Sequence, residues 1–349
     1  MKFSIKSIAV CFFFFTIPII GQEKQLRLKD SISTFYTKLF EDLKANYLYT
    51  KEVKWPAIQS YILKEALKAK TFEESLKQST KLFDTIQGNH LILFSEDENW
   101  YKTSKLGKQL TGDMFNESTI EAYENKKSFE TKVLNNHYGY VFIPGMLLKD
   151  LSRQELDEVS QKIYDGIVKI DNSHNIKGWI VDLRVNVGGN SNVMLTGLYH
   201  LLGNGAAYLT LNNDKSVRTL NSFHEGVLYK NHKENNAVII AAKPKPSIPV
   251  ALLSGVLTNS AGEFVILSFR GRKNTIVIGE ESYGNTTSNS MYEMPFGRSA
   301  AITETYATDR FAKFTKTIVP DIEVIKQTNF EDLSKDKNII EAIKFIDSN

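Results

Sequence analysis

The sequence predicts an α/β protein preceded by a helical segment, and three observations carry that prediction. Apolar residues between Asp30 and about Phe94 recur at helical spacing. Short apolar runs bounded by proline and glycine begin at Tyr138, and from there they alternate with helical stripes. At 349 residues, 42% hydrophobic and 24% charged, the chain can build more than one folded unit with a real core.

The first residues read as a secretory leader, with 1–21 as its bounds. Lys2 and Lys6 form a positive start, Ile8 to Ile20 is mostly apolar, and Gly21 is a small residue before a polar switch at Gln22. The apolar run is short for a membrane span, which needs about 20 residues. Cys11 lies inside that run behind Val10, where a lipoprotein signal wants a small residue, so no lipid anchor is expected. Cys11 is also the only cysteine, so the exported chain has no disulfide, thiolate metal site or thiol nucleophile. Lys and Arg total 43 against 40 Asp and Glu, and losing Lys2 and Lys6 leaves 41. Such a balance supplies no global field for nucleic acid or an anionic membrane. The expectation is a periplasmic or secreted protein that meets the membrane only through its leader.

Residues 22–100 are expected to form a helical subdomain. Ile32, Phe35, Tyr36, Leu39 and Leu43 make one stripe; a second helix opens at Thr71 with Glu74 in capping register and stops at Gly88. Residues 101–136 are polar and read as a connecting segment with one short helix. The core is expected at 137–327, with strands at Tyr138–Ile143, Gly178–Leu183, Ile248–Leu253 and Thr275–Ile278. Ser152 and Glu155 start a helix between the first two strands, and another runs from Ser260 to Phe269. Residues of about 206–240 break the alternation and read as a cap insertion over the core. A terminal helix is expected within 328–349, from Phe330 to Ile346.

Two constellations could carry chemistry. Asp182-Leu183-Arg184-Val185-Asn186-Val187-Gly188-Gly189 follows one strand, and its paired glycines can turn sharply with N–H groups facing open space. That pattern suits either an oxyanion site or a plain strand-to-helix turn. Thr258-Asn259-Ser260-Ala261-Gly262-Glu263 follows another strand and opens a helix, placing a hydroxyl at the positive helix end. Ser260 and Glu263 also have the spacing of a capping box, and spacing alone does not choose between nucleophile and cap. The stretch is not a Gly-x-Ser-x-Gly elbow, because Thr258 holds the first glycine position. No His-Glu-x-x-His stretch exists among the six histidines, so a zinc hydrolase is not supported.

Together these motifs resemble the S41 family of serine peptidases, the group of C-terminal processing peptidases, the tricorn core and interphotoreceptor retinoid-binding protein. Asp182-Leu183-Arg184-x-Asn186-x-Gly188-Gly189 is similar to its Asp-Leu-Arg-x-Asn-x-Gly-Gly signature, and Thr258-x-Ser260-Ala261-x-Glu263 to its nucleophile motif. Gly279-Glu280-x-x-Tyr283-Gly284 resembles the following Gly-Glu-x-Thr-Tyr-Gly turn, with Ser282 for Thr. Val319-Pro320-Asp321-Ile322 resembles a compressed form of the closing Val-x-Pro-Asp stretch. The four motifs occur in family order between about residues 138 and 325, and the segment around Trp55 resembles the family's N-terminal subdomain.

The resemblance implies a crotonase-like (ClpP-like) α/β core with an N-terminal helical subdomain, Ser260 as nucleophile, and backbone N–H groups of Gly188 or Gly189 and of Ala261 as the oxyanion hole. Processing peptidases place a lysine base directly after the Tyr-Gly turn; here that residue is Asn285, which cannot accept the serine proton. Tricorn-like and nisin-resistance-type members use a histidine after the N-terminal helices, and Gln87-Gly88-Asn89-His90-Leu91 is similar to that stretch, which makes His90 the candidate base. His90 also reads as an ordinary residue after a helix end. Glu280 and Glu304 are the candidates for an orienting acid. About 40 residues between Phe94 and Tyr138 leave no room for a PDZ domain. Residues near Phe314 to Val319 are expected to offer an edge to an extended peptide. The implied activity is hydrolysis of a peptide or protein substrate with no metal and no organic cofactor. The rival is a non-catalytic peptide- or lipid-binding protein on the same core.

Overall fold

The computed structural model describes residues 17–95, 100–104, 107–148 and 150–349. Most of the expected leader, including Lys2, Lys6 and Cys11, lies outside the described residues. Helix α1 (Ile17–Asn46) begins within the expected leader and continues past Gly21. Among the described residues, no helix is long and apolar enough to cross a membrane.

The N-terminal part packs α1, α2 (Trp55–Ala66) and α3 (Phe72–Thr85) into one cluster. The stripe of Ile32, Phe35, Tyr36, Leu39 and Leu43 is fully buried there. Thr71 caps α3 by accepting from the Glu74 N–H at 3.1 Å. Two short strands follow, β1 (Ile92–Phe94) and β2 (Trp100–Lys102), so residues 22–100 are not helical throughout. The connecting segment holds α4 (Glu117–Asn125) and also β3 (Glu130–Leu134), which pairs antiparallel with β4 (Tyr138–Phe142).

The core continues with α5 (Arg153–Ser173), β5 (Gly178–Asp182), α6 (Ser191–Gly197) and α7 (Tyr199–Leu202). Strands β6 (Gly205–Leu211), β7 (Val217–His224), β8 (Val227–Lys230) and β9 (Lys233–Ala237) come next. The chain then forms β10 (Val250–Ser254), α8 (Ala261–Phe269), β11 (Thr275–Gly279), β12 (Thr287–Met294), β13 (Arg298–Thr308), β14 (Ile322–Glu323) and α9 (Lys337–Asp347). One sheet has the order β14-β11-β10-β5-β4-β3 and is parallel except at β3. The second runs β2-β1-β13-β6-β7-β8-β9, with β12 also on β13, and its pairings are antiparallel.

Residues 206–240 are therefore strands of a second sheet rather than an insertion laid over the core. Their inward positions explain why the pattern hid them: β7 buries Thr219 and Asn221 alongside Phe223, so a polar face replaces the usual apolar one. The terminal helix starts later than Phe330, because Asp336 accepts from the N–H groups of Asn338 and Ile339 and caps α9.

Three motif loops leave the carboxyl ends of adjacent parallel strands β5, β10 and β11, so the topology gathers them at one edge. The loop after β5 is locked from below by a buried ion triad. Arg184 bonds both oxygens of Asp182, at 3.0 and 2.6 Å, and reaches Asp336 at 2.6 Å. Tyr140 donates to Asp182 at 2.9 Å, and the guanidinium lies 4.5 Å from the Phe330 ring centre. Replacing Arg184 with methionine leaves two buried carboxylates without their counter-ion. We expect a loss of about 3–5 kcal/mol in unfolding free energy by urea titration, far beyond a surface charge change.

Candidate active site

Ser260 stands between β10 and α8 with φ 51° and ψ −112°. A non-glycine residue rarely occupies positive φ, and such strain persists only where surrounding contacts impose it. Those contacts are visible. Thr258 Oγ1 donates to Leu183 O and accepts from Gly255 N, both at 2.8 Å. Asn259 N donates to Asn186 O at 2.9 Å, tying the serine turn to the Gly-Gly turn. Ser260 N donates to Glu263 Oε2 at 2.8 Å, and with the Glu263 N–H facing the Ser260 side chain the two residues form a capping box. The spacing read as a capping box is therefore one in the structure, and it fixes the serine backbone.

The Gly-Gly turn meets the serine directly. A Cβ on Gly188 would lie 3.0 Å from Ser260 Cβ, and one on Gly189 would lie 2.0 Å from Met146 O. Both glycines have positive φ, 107° and 116°, so a side chain is excluded by space and by conformation. Gly188 N–H is already committed to Asn186 Oδ1 at 2.9 Å. The N–H groups of Gly189 and Ala261 donate no hydrogen bond among the described residues. Of the two glycines expected as donors, only Gly189 has its N–H free.

Glu263 is fully buried, and four donors converge on it. Ser260 N and Asn285 N reach Oε2 at 2.8 and 2.9 Å; Gly284 N, at 3.0 Å, and the Ser282 hydroxyl reach Oε1. Burial pushes its pKa up to about 7 against the lowering effect of these bonds. Ser282 also accepts from Ile318 N at 2.8 Å, so the hydroxyl that replaces the usual threonine joins the turn to the irregular segment before β14.

His90 lies between α3 and β1 and is buried. Its Nδ1 is 2.8 Å from Thr287 Oγ1, and Asn289 Nδ2 donates to its carbonyl at 2.7 Å. The adjacent Asn89 reaches Asn285 Oδ1 at 3.4 Å. His90 and Ser260 are thus anchored to one short stretch, 284–289: the histidine through Thr287 and Asn289, the serine through Glu263 and Asn285. Desolvation lowers the imidazole pKa to about 4, opposed by a hydrogen bond with the Thr287 backbone, so the ring is neutral near pH 7.

Neither acid expected to orient the histidine does so. Glu304 is held by Tyr292 and by Arg218 at 2.7 Å. Glu280 has its pKa raised by burial, and the charges acting on it are Lys108, Lys326 and Arg184. The orienting contact is Thr287, 197 residues from His90 in sequence, which no local spacing could announce. The segment Phe314 to Val319 is partly occupied already: Thr286 Oγ1 bonds the carbonyls of Thr315 and Lys316, and Arg270 bonds that of Val319. Among the described residues, no group of acidic, histidine or cysteine side chains is arranged to hold a metal ion.

Two cavities flank the 284–291 stretch. One, of about 630 Å³, is lined by Gly189, Asn289, Met291, Arg218 and Glu304, among others. The other, of about 900 Å³, is bounded by the N-terminal helices and by Asn89, Gly284 and Thr287. A chain crossing from one cavity to the other would pass beside the 284–289 stretch that anchors both Ser260 and His90.

The model of peptidase family S41 matches residues 137–324. The nisin-resistance protein of Lactococcus lactis subsp. lactis is 24% identical over 278 residues, spanning 79% of this chain and 78% of that protein. A lipoprotein from Streptococcus agalactiae superposes with a TM-score of 0.67 at 20% identity, covering 91% of this chain and 96% of that one. Mature CPAF, solved in complex with lactacystin, superposes with a TM-score of 0.51 at 8% identity, covering 92% of this chain and 100% of that one. The structural likenesses establish the α/β fold.

The two perturbed groups make opposite contributions to stability. Because the folded pKa of His90 is depressed, its contribution is whole above about pH 6.5 and is lost as pH falls through about 4. Glu263, with a raised folded pKa, contributes stability below about pH 4.5 that is lost as pH rises through about 7. In a histidine-labelled NMR titration, His90 should protonate near pH 4. A midpoint near the ordinary value of about 6.5 would show that the ring is solvated.

Proposed function

The chain belongs to peptidase family S41, and from that premise we propose that it is an extracytoplasmic serine endopeptidase acting through Ser260 and His90. The observation that carries the reading is the strained Ser260 backbone at the head of α8, together with the unengaged N–H groups of Gly189 and Ala261. A plain helix cap takes an extended backbone and has no need of positive φ. The leader-like first residues support export, as do the nisin-resistance protein and the streptococcal lipoprotein as relatives.

In the proposed cycle, His90 carries its proton on Nδ1, donated to Thr287 Oγ1, which leaves Nε2 as the acceptor. Ser260 Oγ attacks the peptide carbonyl carbon while its proton passes to Nε2. The N–H groups of Gly189 and Ala261 hold the resulting oxyanion, and the positive end of α8 adds to the same field. The tetrahedral intermediate collapses as Nε2 returns the proton to the leaving amine. Water then attacks the acyl-enzyme carbonyl with Nε2 accepting its proton, the acyl–Oγ bond breaks, and Nε2 returns the proton to Ser260 Oγ. Gly188 joins the oxyanion hole only if its N–H releases Asn186. Glu263, Thr287 and Asn289 position the reacting groups, and substrate peptide lies across the two cavities. No metal or organic cofactor enters the cycle.

A fluorophosphonate probe tests the reading. Wild-type protein should be labelled at Ser260, Ser260→Ala should lose both labelling and peptide cleavage, and His90→Ala should lower the labelling rate by about 10²-fold or more. Absence of labelling in a folded wild-type protein would favour the non-catalytic binding protein, for which the lysine replaced by Asn285 is the supporting feature.

A further inference from the structure

The larger cavity differs sharply in charge from its neighbour. Its back wall is aromatic: Tyr306 lies 6.0 Å from Tyr49 and 4.7 Å from Phe314, ring centre to ring centre. Lys215 sits over this wall, its Nζ 3.3 Å from the Tyr306 centroid and 5.5 Å from that of Phe314. Lys54 and Lys316 also line the cavity, and Glu52 is the one carboxylate among its lining residues. None of the three lysines forms an ion pair among the described residues. In the smaller cavity the charges balance: Arg218 is paired with Glu304 at 2.7 Å, and Asp150 and Lys230 supply one charge of each sign.

We propose that the larger cavity is a specificity subsite that takes a Glu or Asp side chain of the peptide substrate. This deepens the peptidase reading and rests on it for the location of the cleft. Three cations without carboxylate partners, on a chain whose overall charge is nearly balanced, form a local positive field. The aromatic wall fixes one of them in place and offers an apolar surface to the methylene part of the incoming side chain. The cavity borders Asn89, Gly284 and Thr287, so a side chain seated in it lies a short way along the peptide from the scissile bond.

The test uses the Ser260→Ala protein, which binds substrate without turning it over. Fluorescent decapeptides carrying one Glu, moved through successive positions, are titrated by anisotropy against the same peptides with Gln. At one position the Glu peptide should bind about tenfold more tightly, the sum of several partly exposed charge contacts. That advantage should shrink severalfold when salt is raised from about 0.05 to about 0.5 M. It should disappear in a Lys54→Ala/Lys215→Ala/Lys316→Ala triple variant that still folds by circular dichroism. Equal binding of Glu and Gln peptides at every position, or a preference that survives the triple variant, would overturn the proposal. Failure of the peptidase reading would show separately, as missing fluorophosphonate labelling of the wild-type protein, and would leave the Glu-to-Gln comparison valid.

Discussion

A carboxylate with no exposure to solvent must be repaid in hydrogen bonds, and Glu263 collects them from two places that the rest of the site depends on. One oxygen takes the N–H of Ser260, the residue with the strained backbone. Both oxygens take donors from Ser282, Gly284 and Asn285. The Ser260 turn after β10 and the loop after β11 are therefore one unit. All four contacts can survive protonation, because Ser282 can accept as well as donate. A pKa near 7 is consequently compatible with a fixed geometry on either side of neutrality.

From that unit the rest of the site follows by connection. The loop continues into Thr287 and Asn289, which grip the side chain and the backbone of His90. Asn186 bonds the Gly188 N–H and, through its carbonyl, Asn259, so the Gly-Gly turn is set against the serine. Beneath, the Arg184 triad ties the same turn to the cap of α9, and the C-terminal helix supports the site without touching it. The two-sheet arrangement leaves a cavity on each side of the 284–291 stretch. One is balanced in charge and the other rich in lysine, so the cleft has a direction built into it.

Much of this was legible before any coordinates. The α1 stripe, four of the five parallel strands and the three loop motifs are local patterns, written as helical spacing, apolar runs or short signatures. What stayed hidden was non-local or polar. β7 turns Thr219 and Asn221 inward toward a cavity, so the alternation that marks a strand was absent. Thr287 orients His90 across 197 positions, and chain spacing carries no information on such a pair. A search for an acid pointed to Glu280 and Glu304, whereas a hydroxyl holds the ring and Glu304 is spent on Arg218 and Tyr292. The Ser260–Glu263 spacing fits cap or nucleophile, and the structure forms the capping box on a serine whose backbone is strained, a feature that spacing does not reveal.

The most direct measurement of the Glu263 constraint is the rate at which a fluorophosphonate acylates Ser260 in a Glu263→Gln variant. Glutamine keeps the volume and one acceptor, but its NH₂ must face a donor, either Gly284 N–H or the pair from Ser260 and Asn285. If Glu263 holds the nucleophile in its strained conformation, the rate falls about tenfold or more while the folded protein persists by circular dichroism. An unchanged rate in the folded variant would contradict the account, because Ser260 would then hold its conformation without the carboxylate.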